Sequence, residues 1–362
     1  MSLTWQSTLP AFGAQSGDTP FHREAFLTAL HQNGCLSATT GWLPHYLVAD
    51  SGWCAFYEKR HSYGEFVFDW AWADAYQRHG LLYYPKLVAA LPYTPVPGNK
   101  VYGDLPMGDI VTAAEQFSQQ RHMSSVHWLY CDKATQASLT KQGYVGRKSV
   151  QFHWFNRDYT DFSDFLDTFV SRKRKMVNKE RRNVQHQGIR IERKTASSID
   201  AQDLDFFYRC YRDTYQKRSG HNGYLPNAFF QQLGNTMPNE LLLVLAYQDN
   251  RPVACALFAY DKDGLYGRYW GCIEEHEFLH FECCLYQGIE FCIEQNIPFF
   301  NPGTQGEHKL LRGFEPVWCY SAHKLHHPDF HRAINTFCLQ EALQLEQYRQ
   351  QALTLLPFKQ QG

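Results

Sequence analysis

The chain has 362 residues, of which 44% are hydrophobic and 16% are aromatic, and its formal net charge is −1. Two domains are expected, because one hydrophobic core rarely spans so many residues. The near-zero net charge excludes a global electrostatic field that would attract nucleic acid or a membrane surface, so any polyanion site must be local.

The cysteines and the apolar runs indicate the compartment. There are 11 cysteines, an odd number, and no Cys-x-x-Cys pair, which favours reduced thiols over a disulfide framework. No basic stretch followed by an apolar run opens the chain, so no signal peptide is predicted. No apolar run is long enough to cross a bilayer. We therefore expect a cytoplasmic protein without a membrane span.

Apolar spacing and turn residues predict alternating helices and strands in the first half. In chain order these are a helix at 21–32, strands at 47–50 and 53–58, a helix at 66–78, a strand at 82–91, a helix at 110–121, a strand at 126–131, a helix at 134–142 and a strand at 145–155. Residues 92–100 contain three prolines and are predicted to be irregular.

A basic segment precedes a second set of elements. Residues 172–182 include seven basic residues and one acidic residue, and the segment is predicted to be a helix at about 168–186 because it lacks Gly and Pro. The later elements are helices at 204–217 and 227–233, strands at 241–247, 253–260 and 265–272, a helix at 280–295, a strand at 298–301, a helical turn at 307–312, a strand at 317–324 and a helix at 330–355.

The repeated order of elements predicts an α/β protein of two similar lobes. We place the first lobe at residues 1–160 and the second at residues 161–362, with the basic connecting helix at the start of the second. Each lobe is expected to contain a mixed sheet flanked by helices.

Five motifs along the chain carry a family resemblance. They are SYGEFVFDWAWA at 62–73, YYPKL at 83–87, TPV with a following glycine at 94–98, SRKRK at 171–175, and QGEHK with RGF at 305–314. Together they resemble the FemAB-like family, labelled "peptidoglycan biosynthesis/recognition". The order of elements resembles the acyl-CoA N-acyltransferase (GNAT) fold, used once per lobe.

The resemblance implies a bacterial two-lobe transferase. Its better-understood relatives, the Fem-type ligases, move an amino acid from aminoacyl-tRNA onto a cell-wall precursor peptide. Those ligases have a Lys-x-Gly-Phe motif near the end of the second lobe. This chain differs there, because Leu311 precedes Arg312-Gly313-Phe314.

The segment around residue 307 contains the strongest acid–base candidates. Glu307 and His308 are predicted catalytic residues, because an attacking amine must lose a proton and histidine titrates near neutrality. Lys309, Arg312 and Gln305 are predicted to contact the substrate, the two cations by steadying a phosphate or a developing oxyanion. The alternative is a surface loop in which Glu307 favours a helix N-terminus.

A second candidate group lies on the helix predicted at 280–295. Glu282, Tyr286 and Glu290 recur every four residues and therefore share one helical face. Glu282, near the helix start, is a predicted base, and Tyr286 is a predicted substrate-binding residue. Glu290 is expected to face water.

Donor phosphates could bind in the first lobe. Gly98, Asn99 and Lys100 follow a predicted strand, where acyltransferases of this fold hold the donor pyrophosphate on backbone N–H groups. The alternative is an ordinary proline-rich turn. The corresponding segment of the second lobe, residues 274–277, contains three carboxylates that would repel phosphate.

The basic helix is the predicted nucleic-acid site. Arg172, Lys173, Arg174 and Lys175 could bind the phosphates of a tRNA or a nucleotide, although a charge run is also typical of a solvated or docked helix. The late histidines at 323, 326, 327 and 331 match no zinc spacing, so no metal site is predicted.

These observations predict an acyl or aminoacyl transferase. An activated acyl group, from acyl-CoA or aminoacyl-tRNA, would move onto a small-molecule or peptide amine bound between the lobes. The alternatives are a non-catalytic protein of the same fold that binds a peptide, a cell-wall fragment or RNA, and a protein with an RNA-binding role alone.

Overall fold

The computed structural model describes residues 2–11, 19–304 and 306–359. The strands are β1 (Thr4–Gln6), β2 (Leu43–Ala49), β3 (Gly52–Lys59), β4 (Lys86–Ala89), β5 (Val101–Gly103), β6 (Ser125–Cys131), β7 (Val145–Phe155), β8 (Ile189–Thr195), β9 (Leu241–Gln248), β10 (Arg251–Tyr260), β11 (Leu265–Cys272), β12 (Phe299–Asn301) and β13 (Glu315–Leu325).

The helices are α1 (Glu24–Gln32), α2 (Trp70–Arg78), α3 (Met107–Gln120), α4 (Lys133–Lys141), α5 (Phe162–Asp167), α6 (Ser171–His186), α7 (Ala201–Ser219), α8 (Asn227–Thr236), α9 (Leu279–Phe281), α10 (Gln287–Glu294) and α11 (Pro328–Thr354). A π-helical turn, Glu282–Tyr286, joins α9 to α10. The strands β1, β5 and β8 are absent from the predicted elements, because two are three residues long and β8 is mostly polar and charged.

The chain forms two compact units. The first contains Met1–Val150 and Trp318–Tyr348, and the second contains Gln151–Val317 and Arg349–Gly362. The predicted lobes divide the chain once, at residue 160, whereas the observed units divide it within β7, within β13 and near the end of α11. Most of α11 belongs to the first unit because Ile334 and Cys338 are buried there with Trp72 and Tyr83.

The first unit contains a mixed sheet in the order β1-β2-β3-β4-β6-β13, with β5 paired to β3. The strands β4 and β6 are parallel, and the other pairs are antiparallel. Helix α3 buries Ile110 and Phe117 in a core with Leu87 and Trp128. Successive residues of a strand point to opposite faces, so Lys86, the neighbour of Leu87, lies on the other face of the sheet.

The second unit contains a sheet in the order β7-β12-β11-β10-β9-β8. The strands β11 and β12 are parallel and the other pairs are antiparallel. Helix α7 lies very close to β11 at Gly271, where an added Cβ would be 2.2 Å from the carbonyl oxygen of Cys210. Among the described residues, no helix combines the length and the apolar character needed to cross a bilayer.

Gly271→Ala is expected to lower the free energy of unfolding by about 1–3 kcal/mol, because the new methyl group meets backbone rather than a movable side chain. Gly108→Ala is the matched control, since its nearest neighbour atom is 3.9 Å from the added Cβ. That change in α3 should leave stability unchanged or raise it by up to about 1 kcal/mol. Urea unfolding of both variants measures the difference, and equal stabilities would contradict the close approach of α7 to β11.

Candidate functional site

The site forms where two parallel strands of the second unit separate. The strands β11 and β12 pair only at Leu265 with Phe300 and Tyr266 with Asn301. Beyond that point β12 ends, whereas β11 continues to Cys272. The carboxyl ends of diverging strands in an α/β sheet are the usual place for a ligand.

The chain turns away from β12 through glycines and enters a six-residue 3-10 helix, Glu307–Arg312. Gly303 and Gly306 have φ values of 96° and 118°, which side-chain-bearing residues rarely adopt. An added Cβ at Gly306 would lie 2.4 Å from the imidazole ring of His308. The glycine therefore lets the His308 ring fold back against the turn. Gln305, a predicted substrate contact, lies outside the described residues.

A cavity of about 540 Å³ lies beside this turn. Its wall combines the end of α7, the end of β11, the loop that follows β11, the start of α9, and His308. Arg218, Trp270, His276 and His280 are among the lining side chains. The carboxylates of Asp213, Glu274 and Glu275 also line it. The cavity is therefore partly aromatic and of mixed charge, and His308 is the predicted catalytic residue that lines it.

Two histidines of this wall are neutral at physiological pH. Burial lowers the pKa of His308 to about 4, assisted by the charges of Lys309 and Arg312, so His308 lacks the near-neutral pKa on which its prediction as a base was founded. Burial also lowers the pKa of His280 to about 4, with His308, Arg218 and the same two cations contributing. The two rings lie 5.9 Å apart. The Nε2 of His308 is buried and has no hydrogen-bond partner in the described part of the chain.

Lys309 and Arg312 are buried beneath the turn, each 4% exposed. The Lys309 Nζ donates to the carbonyl oxygen of Gly303 at 2.9 Å, and burial lowers its pKa to about 8. Arg312 donates to both Glu180 carboxylate oxygens, at 2.6 and 3.1 Å, and to the carbonyl of His308 at 2.8 Å. Both side chains fix the turn, a geometry that does not favour the predicted direct contact with substrate.

The predicted base Glu282 is 4% exposed and already bound on both carboxylate oxygens. Arg181 donates to those oxygens at 2.9 and 3.1 Å, and Gln287 donates to one of them at 2.8 Å. The hydroxyl of Tyr286, a predicted substrate contact, donates to Glu180 and accepts from Arg312 at 2.9 Å. These contacts favour a structural role for Glu282 and Tyr286, because they hold the π-helical turn against α6.

Glu307 opens the 3-10 helix and is exposed. It lies one residue from His308, so the two predicted catalytic residues are neighbours in the chain. The cavity wall includes His308 and not Glu307, which makes His308 the better placed of the two.

In the first unit, the segment predicted to bind donor phosphate, residues 98–100, uses its polar groups in hydrogen bonds within the protein. The Gly98 N–H donates to the carbonyl of Tyr130 at 3.0 Å. The Lys100 Nζ, on a side chain that is 3% exposed, donates to the carbonyls of Gly98 at 2.8 Å and Tyr130 at 3.1 Å. The Asn99 side chain accepts from the N–H of Val101 at 3.0 Å. These contacts favour the proline-rich turn over a phosphate cradle.

The basic helix α6 has two distinct faces. Its inner face carries Val177, Glu180 and Val184, which are buried. Of the four predicted nucleic-acid residues, Arg174 pairs with Asp167 at 2.6 Å and Lys173 is half-buried, whereas Arg172 and Lys175 are exposed.

The outer face of α6 has a single sign of charge. Five exposed residues share this face at helical spacing, and we call them the basic stripe: Arg172, Lys175, Lys179, Arg182 and His186. The helix has one acidic residue, Glu180, and that residue points inward to Arg312. Close to the stripe, Asn183 and Gln187 contact Glu277, which follows the cavity wall in sequence. The C-terminal end of α6 therefore contacts the loop that follows β11.

Comparison with known proteins identifies the family. The family model described as peptidoglycan biosynthesis/recognition, FemAB_like, matches residues 2–360. The chain belongs to the FemAB-like family. No curated protein sequence matches the FemAB-like chain.

Solved structures confirm the fold predicted from sequence. FemX is 11% identical with a TM-score of 0.53, covering 88% of this chain and 96% of that chain. L-PGS from Bacillus licheniformis is 12% identical with a TM-score of 0.51, covering 90% and 98%. The C-terminal domain of a putative lysylphosphatidylglycerol synthetase from Agrobacterium fabrum is 9% identical with a TM-score of 0.52, covering 85% and 94%. The FemAB-like chain therefore has tandem GNAT-like lobes.

Several residues that line the cavity or support its turn lie outside the predicted set. Arg218, Trp270, His276 and His280 line the cavity but come from three separate segments with no shared motif. Glu180 anchors Arg312 from 132 residues away, and its only sequence signal is that it is a lone acid in a basic run. No group of His, Cys, Asp and Glu suited to a metal ion occurs in residues 2–11, 19–304 and 306–359.

Proposed function

We propose that the FemAB-like chain transfers an activated acyl group to an amine, with His308 as the proton acceptor beside the cavity. One observation carries the proposal: two neutral histidines line the cavity while Lys309 and Arg312 are buried nearby. Burial is the largest cause of the lowered pKa of His308, and the charges of Lys309 and Arg312 add to it. That electrostatic part, which disfavours a second positive charge, would stabilise a negative charge at the same place. That is what a tetrahedral oxyanion requires.

The proposed reaction uses the described groups in order. The acceptor nitrogen attacks the carbonyl carbon, a C–N bond forms, and the carbonyl oxygen takes the negative charge. On collapse, the bond from that carbon to the thioester sulfur or ester oxygen of the donor breaks. The proton from the acceptor nitrogen passes to His308 and then to the leaving sulfur or oxygen. Lys309 and Arg312 act through their charge, since their N–H groups hold the turn.

Family membership supports an acceptor that takes part in peptidoglycan biosynthesis. We expect that acceptor to be a peptide amine or a small-molecule amine. Two of the similar structures are described as FemX and as a putative lysylphosphatidylglycerol synthetase, which supports an aminoacyl group as the cargo. Acyl-CoA is the other donor class, and the engaged groups of Gly98 and Lys100 provide no support for it.

The basic stripe favours aminoacyl-tRNA as the donor. Exposed cations repeated along a helix bind a phosphate backbone and release counterions, and this stripe has no exposed carboxylate within α6. The loop after β11 contains three carboxylates that would repel phosphate, so the proposed polyanion contact is confined to the stripe.

Lys175→Glu and Lys179→Glu are each expected to weaken tRNA binding and to lower the slope of log affinity against log salt by about one. Lys262→Glu is the matched control, because it makes the same charge change at an exposed position of the loop between β10 and β11. Filter binding at several salt concentrations measures both quantities. Equal losses in all three variants would show that net charge alone matters and would contradict a site on the stripe.

A second function, binding without transfer, is favoured by the closed first-unit segment at residues 98–100. Thermal-shift measurements with acetyl-CoA, a longer acyl-CoA, aminoacyl-tRNA and murein precursors discriminate the two. Stabilisation that depends on donor concentration supports transfer. Stabilisation by murein precursors alone, with no turnover of any donor, supports the binding protein and contradicts the transferase.

A further inference from the structure

Two ion pairs lie in the wall of the cavity beside His308. Lys217 and Asp213 both line the cavity and pair at 2.7 Å, one turn apart on α7. Glu274 also lines the cavity and pairs with Arg251 at 2.5 Å. The charges in each pair cancel within the protein, so neither pair leaves an open charge for a ligand.

Two further charged side chains of the same wall, Arg218 and Glu275, have no such partner. Neither one makes a hydrogen bond or an ion pair with another residue in the described part of the chain. Both side chains are exposed, so a ligand that enters the cavity from solvent can reach them. The wall therefore presents one open positive charge and one open negative charge.

Both open charges act on other residues of the cavity wall. Burial is the largest cause of the low pKa of His280, and the charge of Arg218 adds to it. The hydrogen bond to Asp213 is the largest cause of the raised pKa of Lys217, and the charge of Glu275 adds to the rise. Because Lys217 is the chain neighbour of Arg218, the two open charges lie in the same part of the wall.

The rest of the wall suits a small organic ligand. The rings of Trp270 and His280 lie 5.4 Å apart with an interplanar angle of 77°, and Leu279 is buried beside them. The cavity volume of about 540 Å³ falls within the range of about 300–1,000 Å³ that is typical of small-molecule sites. The cavity thus combines an aromatic and apolar surface with two open charges of opposite sign.

We propose that the cavity binds an amino-acid unit that keeps both of its charges, with the carboxylate at Arg218 and the ammonium at Glu275. A guanidinium holds a carboxylate through two parallel hydrogen bonds. A simple amine would leave Arg218 open, and a carboxylic acid would leave Glu275 open. A phosphate would meet Glu275 as a like charge, which is unfavourable. The zwitterion pairs both open charges and adds no net charge to the cavity.

In the transfer reaction this amino-acid unit is the acceptor, an assignment that rests on the proposed function. The ammonium first gives one proton to solvent. The free amine then attacks, a C–N bond forms, and the bond from the acyl carbon to the donor sulfur or oxygen breaks. The second proton of the nitrogen passes through His308 to the donor thiol or hydroxyl. Binding of the zwitterion needs no donor, so binding and transfer can be tested apart.

Isothermal titration calorimetry of the full chain near neutral pH tests the site with three ligands that share one carbon chain. L-norleucine has both charges, pentylamine lacks the carboxylate, and hexanoate lacks the ammonium. L-norleucine should bind at least about tenfold more tightly than either analogue, because each analogue loses a charged hydrogen bond. Equal affinities for the three ligands, or no binding of L-norleucine, would overturn the proposal.

Two variants assign each charge of the ligand to its residue. Arg218→Gln should lower the affinity for L-norleucine about tenfold and leave that for pentylamine unchanged, whereas Glu275→Gln should lower it about tenfold and leave that for hexanoate unchanged. Both positions are exposed, so both variants should fold. Arg212→Gln, at an exposed arginine of α7 outside the cavity wall, is the matched control. Wild-type affinity for L-norleucine in either cavity variant would overturn the proposal.

A transfer assay with L-norleucine and pentylamine as competing acceptors separates this inference from the proposed function. Preferential N-acylation of L-norleucine supports both. Acylation of the two amines with equal kcat/KM keeps the transferase and overturns the inference. Selective binding of L-norleucine without acylation by any donor keeps the binding site and contradicts the transferase.

Discussion

Replacing His308 with alanine is expected to lower kcat/KM for acyl transfer by about 10²- to 10⁴-fold, the usual contribution of a positioned base. The variant leaves a space beside the Gly306 backbone, so added imidazole should restore part of the rate. His79→Ala changes an exposed histidine of the first unit and is the control for general effects. A His308→Ala enzyme with wild-type turnover would remove His308 from the mechanism.

The pH profile gives a second test of the same base. Burial, Lys309 and Arg312 lower the pKa of His308 to about 4, so the base should remain deprotonated from neutral pH down to about pH 5. After correction for ionisation of the acceptor amine, kcat/KM should stay level in this range. A fall near pH 6.5 would contradict the lowered pKa of His308, which burial causes first and the charges of Lys309 and Arg312 second.

Folding must be followed in the same pH range. The unfolded chain binds a proton on His308 near the ordinary pKa of 6.5, whereas the folded chain binds it only near 4. The unfolded state therefore binds more protons between these values, and the free energy of unfolding falls as the pH drops through this window. Circular dichroism at each pH separates loss of base from loss of fold.

Glu180→Gln is expected to lower the free energy of unfolding by about 3–5 kcal/mol, because it leaves the Arg312 guanidinium buried without its charged partner. The side chains of Glu180 and Arg312 are 6% and 5% exposed. The ion pair also fixes the turn that carries His308, so activity should fall with stability. Urea unfolding monitored by circular dichroism measures the change.

An exposed ion pair provides the matched control. Asp329 pairs with Arg332, and their side chains are 73% and 72% exposed. Asp329→Asn should cost about 0–1 kcal/mol, because water screens the pair. In the double variant Glu180→Leu with Arg312→Met the loss should be smaller than for Glu180→Gln, since no buried charge remains unpaired. Equal losses for the buried and exposed pairs would contradict the proposed support of the turn.

Local pattern predicts the elements of this fold well where apolar spacing is regular. The strands β7 and β11 have the predicted bounds, and the helical turn at 307–312 is confirmed. The helix predicted at 66–78 begins instead at Trp70, because Phe66 has a φ of 58° and Asp69 is committed to Lys86. The contact between Asp69 and Lys86 sets the start of the helix. The spacing of apolar residues in the sequence does not reveal that contact.

The candidate site shows the same difference between what local sequence predicts and what tertiary contacts decide. Composition around residue 307 is enough to predict Glu307 and His308 as candidates, because the residue types and the glycines beside them are local features. The roles of Lys309 and Arg312 depend on burial and on Glu180, which is distant in sequence. When its partners are not known, a basic residue in a glycine-rich segment is readily predicted to contact substrate. In the structure, Arg312 instead donates hydrogen bonds to two carboxylate oxygens and a backbone carbonyl.

Crystals of the FemAB-like protein soaked with a hydrolysis-resistant amide analogue of the aminoacyl-tRNA 3′ end test the central claim most directly. The account predicts that the analogue occupies the cavity after β11, with its carbonyl group next to the His308 imidazole. Occupancy at another place, with the His308 cavity empty and transfer activity intact, would contradict it.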